Sequence, residues 1–113
     1  MRLLGTLSGQ FRRTVKRHGF VTPDGSLGIE VTGTLEETLF TAIATSVPEG
    51  TWELVCHPGY NDADLRSANT RLRESREVEL RVLTSPRVRE ILARTGVELI
   101  SYQGFVEQRP GPV

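Results

Sequence analysis

A chain of 113 residues makes one small domain or a piece of a larger one. Its 14 basic and 14 acidic residues cancel, which argues against a dedicated nucleic-acid binder and gives no attraction to anionic membranes. No apolar run approaches the roughly 20 residues that span a bilayer, the apolar start is too short and interrupted for a signal peptide, and the single Cys56 can form no internal disulfide, so a cytoplasmic protein is expected.

Leu3, Leu7, Phe11 and Val15 recur every fourth residue and share one face of a predicted first helix. Arg12, Arg13, Lys16, Arg17 and His18 crowd its C-terminal turns, where cations suit the helix dipole, and Gly19 is a stop signal. Residues 20–31 hold Pro23, Asp24-Gly25 and Gly28 and read as loop with short extended pieces. Thr34-Leu35-Glu36-Glu37 matches a capping box and opens a helix to about Ser46, with Leu35, Leu39, Ala42 and Ile43 facing inward. A Pro-Gly turn over residues 47–50 leads to a short apolar strand at residues 51–56, which stops at His57-Pro58-Gly59.

Beyond it, Asp62 or Asp64 can cap a short helical turn. Residues 70–83 form a charged helix whose apolar side carries Leu72, Val78, Leu80, Val82 and Leu83. Ser85-Pro86 is an N-cap with proline at the first helical position, opening a helix with Val88, Ile91 and Leu92 that ends at Thr95-Gly96. Residues 97–102 read as a second strand, and residues 106–113, with Pro110-Gly111-Pro112, as a disordered tail. Strands separated by helical crossovers pair in parallel, so the class is α/β. Two parallel strands make an incomplete sheet, and the order reads as the last part of a larger α/β fold.

The chemistry-bearing candidate is His57. It is one of only two histidines and lies where a rigid strand end meets a variable loop, a place where proton-transfer groups and ligands occur. The bland reading is a half-buried histidine bonded at a turn. Asp62 and Asp64 with His57 have the donor types of a metal site, but helix capping is the simpler use of those aspartates. Cys56 and His57 are strand neighbours facing opposite sides, which disfavours a Cys-His nucleophile pair and leaves a small buried thiol. The basic first helix is a solvated face before it is a phosphate site. There is no phosphate-binding glycine loop, no Gly-x-Ser-x-Gly, no His-Glu-x-x-His and no paired cysteines.

Several ordered segments resemble the C-terminal part of the YdjC-like family, the ChbG/HpnK group of carbohydrate deacetylases. They are Gly50-Thr51-Trp52-Glu53-Leu54-Val55-Cys56-His57-Pro58-Gly59-Tyr60-Asn61-Asp62, Arg76-Glu77-Val78-Glu79-Leu80 with Leu83, Ser85-Pro86-Arg87-Val88 and Gly96-Val97-Glu98-Leu99-Ile100-Ser101-Tyr102. The resemblance runs over about residues 20–105 and implies a partial domain over residues 1–105, the C-terminal portion of a distorted (β/α) barrel. It implies removal of acetyl groups from N-acetylated sugars such as chitooligosaccharides or hopanoid-linked sugars. In such a domain a divalent metal is held by an aspartate of an N-terminal Asp-Asp motif and two upstream histidines. His57 carries over as a general acid or substrate-orienting group, with Tyr60, Asn61 and Asp62 as substrate-binding neighbours.

The chain departs from that pattern at its start. It has no Asp-Asp there, and His18 matches no family ligand. The expectation is therefore a partial deacetylase that holds no metal and is inactive by itself, partnered by an N-terminal chain or by copies of itself. The alternative is a non-enzymatic, self-associating module or an inactive remnant.

Overall fold

The computed structural model describes residues 2–107, with side chains from residue 9 onward. Within these limits the chain forms two compact units: residues up to Asp24 together with those from Ile100 onward, and Gly25–Leu99. The first unit holds helix α1, Arg2–Arg17, and a short helix at Tyr102–Glu107. Lys16 and Arg17 end α1, and Gly19 follows with φ 78°, the left-handed stop expected of glycine. Phe11 is exposed and Val15 half-buried, while the side chains of Leu3 and Leu7 lie outside the described set.

The second unit carries the α/β arrangement. Strand β1, Gly25–Leu27, runs into a 3-10 turn at Ile29–Val31 and helix α2, Glu37–Ser46, before strand β2, Trp52–Leu54. The strands are parallel, with Gly25 opposite Trp52, Ser26 opposite Glu53 and Leu27 opposite Leu54. The Val55 N–H donates to the Leu27 carbonyl at 2.9 Å and carries the ladder one step further. The crossover through α2 is what parallel pairing demands. Helices α3, Ala63–Ser67, α4, Glu74–Thr84, and α5, Pro86–Thr95, complete the unit.

The core sits where α2 faces α5. Leu35, Phe40 and Ala44 meet Val88, Ile91 and Leu92, with Leu54, Cys56, Val82, Leu83 and Val97 packed around them. Ser85 caps α5 as its sequence foretells, its Oγ accepting from the Arg87 N–H at 3.2 Å. A surface ion pair, Arg87 Nε to Glu37 Oε1 at 2.7 Å, joins the outer ends of α2 and α5. Being exposed, it is worth at most about 1 kcal/mol.

Four expectations need correction. Residues 97–102 are not a strand. Gly96 ends α5 in the left-handed conformation at φ 72°, the Val97 N–H closes onto the Leu92 carbonyl, and Val97 then plugs the core. Residues 98–101 run on irregularly into the final helix, here α6, Tyr102–Glu107. That helix takes in Val106 and Glu107 of the expected tail, whose remainder, with Pro110-Gly111-Pro112, lies outside the described residues. The capping box does not form: Glu36 is the N-cap of α2 without a side-chain bond, and Thr34 Oγ1 donates instead to the Val31 carbonyl at 2.7 Å. On α2 it is Phe40 and Ala44 that are buried in the core, while Ala42 is exposed. On α4, which begins at Glu74 rather than at residue 70, Val78 is exposed and Glu79 is buried.

Candidate active site at the end of strand β2

His57 stands three residues past β2, where the extended chain leaves the sheet and turns through Pro58. Its backbone N–H donates to Glu79 Oε2 at 3.0 Å. The next loop bonds follow with a spacing of two. The Gly59 N–H donates to the Arg76 carbonyl at 3.1 Å, and the Asn61 N–H to Glu77 Oε1 at 3.0 Å. Three N–H groups of residues 57–61 thus donate to acceptors on α4.

The side chains of the loop divide in consequence. His57 is half-buried, and its Nδ1 is enclosed with no partner among the described residues. Asn61 Oδ1 is likewise enclosed and unpartnered, while the Asn61 carbonyl accepts from the Arg66 guanidinium at 2.8 Å. Asp62 is spent on capping: its Oδ1 accepts from the Leu65 N–H at 3.0 Å and starts α3. Tyr60 is 75% exposed. Asp64 falls in the first turn of α3, where a carboxylate suits the helix dipole. Arg73 at the head of α4 also has an enclosed, unpartnered Nε.

Cys56, two residues past β2, is half-buried rather than fully buried and packs against the core. Burial pushes its pKa up, and the negative charge of Glu79 pushes in the same direction. The thiol is thus held in its un-nucleophilic form, the reverse of what a catalytic cysteine needs.

Chemically, the arrangement offers one imidazole with no carboxylate on its ring nitrogen Nδ1. Glu79, the nearest acid in the hydrogen-bond pattern, is committed to the backbone of His57 rather than to its ring. This is not a nucleophile-base-acid relay. The backbone N–H of His57 is held by Glu79, and its Nδ1 has no partner among the described residues.

The family model described as YdjC-like protein matches residues 1–94. The chain belongs to the YdjC-like family. A carbohydrate deacetylase of Geobacillus stearothermophilus is 33% identical over 94 residues, covering 82% of this chain and 38% of that protein. The chain thus spans well under half the length of that relative. No solved structure matches.

Membership raises the question of a divalent cation. Among the described residues no three of His, Cys, Asp and Glu are grouped to hold one. His57 has one enclosed nitrogen, Asp62 is a cap and Glu79 is bonded to the backbone, so these groups do not make a cation site. Among the described helices none is long and apolar enough to cross a membrane.

The capping use of Asp62 is legible in the sequence, while the acceptor roles of Glu77 and Glu79 are not among the sequence expectations. A signal existed. Arg76, Glu79 and Leu83 fall on one helical face by their spacing, so Glu79 stands in line with Leu83, which packs against the core. A charged residue in that register marks either a helix turned the other way or an acid with a buried task.

Proposed function

We propose that this chain supplies one part of the active site of a carbohydrate deacetylase, acting on N-acetylated sugars such as chitooligosaccharides or hopanoid-linked sugars, with His57 as the working group. The observation that carries the reading is the His57 ring just past β2, enclosed at Nδ1 and without a partner there among the described residues, in a chain of the YdjC-like family. Amide hydrolysis requires the departing sugar amine to gain a proton. An imidazole is suited to deliver it, or to hold the acetamido group by a hydrogen bond. Asn61, with its enclosed Oδ1 unpartnered among the described residues, is the neighbour best suited to a sugar hydroxyl, and the exposed Tyr60 and the capping Asp62 are the further substrate-binding candidates of this reading.

In this reading β1 and β2 are adjacent strands of a distorted (β/α) barrel, and the ligands of a divalent cation come from polypeptide other than the residues described here. The chain by itself then releases no acetate and holds no metal tightly. The test is metal analysis with an acetate-release assay on N-acetylglucosamine oligomers, with and without an N-terminal YdjC-like chain bearing the Asp-Asp motif and paired histidines. Acetate that appears only with both chains supports the reading. Acetate from this chain by itself opposes it. The lone cysteine and the absence of a bilayer-length apolar run support a cytoplasmic site of action.

A second reading has its own observation. The sheet has two strands, and neither outer edge has a strand neighbour among the described residues. Open parallel edges recruit further strands, so a self-associating module that is not an enzyme, or an inactive remnant, is the alternative. Sedimentation separates the two: oligomers that form without any second chain, joined with silence in the paired assay, favour the module.

A further inference from the structure

Of the three acceptors that hold residues 57–61 against α4, one is unlike the others. Glu77 is exposed and the Arg76 acceptor is a helix carbonyl, but Glu79 is 2% exposed, as buried as the core residues. Burying a carboxylate is costly unless its oxygens are bonded. A leucine in the same helical register would serve packing better. What the glutamate contributes instead is a strong, charge-assisted acceptor for the His57 N–H at 3.0 Å, reached across 22 residues of chain.

We propose that Glu79 is the positioning residue for His57, fixing the imidazole by gripping its backbone N–H. The proposal rests on the reading of His57 as the working group. Second-shell carboxylates commonly orient a histidine through its ring N–H. Here Nδ1 has no such partner among the described residues, so the ring is not oriented through that atom. The grip acts one step earlier. Fixing the N–H fixes the backbone of His57 and hence the direction in which Cβ leaves it. The bonds of Gly59 and Asn61 keep the following loop from swinging away. The ring nitrogen stays available for a ligand while its origin is held as firmly as a core residue.

The test uses the 113-residue chain and nuclear magnetic resonance of Glu79→Gln and Glu79→Leu beside the unchanged protein. Glutamine keeps the length and one acceptor oxygen; leucine keeps the bulk and removes the acceptor. In the unchanged chain and in Glu79→Gln we expect the His57 amide to exchange at least about tenfold slower than in the unfolded chain, as one bond to a charged or strongly polar acceptor provides. The His57 Cε1–H signal should stay well away from its urea-unfolded position. In Glu79→Leu both signatures should collapse toward the unfolded values, while Leu92 and Ile91 methyl signals hold their places. A folded Glu79→Leu that keeps both His57 signatures overturns the proposal, and so does a folded Glu79→Gln that loses them. If Glu79→Leu fails to fold, the glutamine variant decides alone; if neither folds, Glu79 is a determinant of the whole unit and the positioning role is overturned. The reading of His57 fails separately, when His57→Ala leaves the paired deacetylation assay unchanged.

Discussion

Gly25 lies under the indole of Trp52, its partner in the parallel register, so closely that a methyl group at Gly25 would stand 2.5 Å from Cζ3. The start of β1 is therefore set by what its neighbour's side chain leaves free. The Asp24-Gly25 pair, which the sequence marks only as a turn, is the point where the sheet closes over Trp52, whose Nε1 donates to the Glu49 carbonyl at 3.3 Å.

Gly25→Ala should accordingly destabilise the chain by about 1–3 kcal/mol, the cost of forcing an extra carbon into a filled site. The midpoint of thermal unfolding should fall on the order of 5 °C per kcal/mol. An unchanged midpoint in Gly25→Ala means that Trp52 does not cover β1.

The correction at residues 97–102 makes a second prediction. Ile91 is 2% exposed on the α5 face that meets α2, so Ile91→Ala should cost about 2–5 kcal/mol. Leu99 is 75% exposed, so Leu99→Ala should stay within about 0.5 kcal/mol. Urea titration of both variants measures the contrast. A large loss at Leu99 would restore a buried strand there.

Cys56 yields a pH prediction. Its folded pKa is raised, first by burial and then by Glu79. Below the unfolded thiol's pKa both states keep the proton, and the contribution to stability is fully present. As pH rises, the unfolded chain gives up its proton first, so that contribution is lost through the alkaline range up to the folded pKa. Cys56→Ala should flatten the alkaline fall in unfolding midpoint. Iodoacetamide should label Cys56 more slowly in the folded chain than in urea, and faster in Glu79→Gln than in the unchanged protein. Equal labelling rates folded and unfolded would contradict this.

Much of the second unit is legible from local chemistry. Ser85-Pro86, Thr95-Gly96 and Asp62 act where their types say they act, because capping is decided within four residues of chain. The strand before His57 is legible from its apolar run and its abrupt stop. What escapes is decided at a distance. Thr34 has the form of a capping box, yet its hydroxyl finds the Val31 carbonyl first. Residues 97–102 have strand composition but pair with no described strand, and β propensity is realised only against a neighbour. Glu79 is the clearest case. Its register in line with Leu83 is visible in the sequence, but the acceptor task that occupies it lies at His57, 22 residues away.

The most direct measurement is acetate release from N-acetylglucosamine oligomers by this chain paired with an N-terminal YdjC-like chain, comparing the unchanged protein with His57→Ala. We expect release from the pair and none from either chain by itself. With His57→Ala, a fall of about 100-fold or more is expected, the usual contribution of a positioned acid-base group. Undiminished release from the His57→Ala pair, or release from this chain by itself, would contradict the assignment of His57 and of the chain as one part of a deacetylase site.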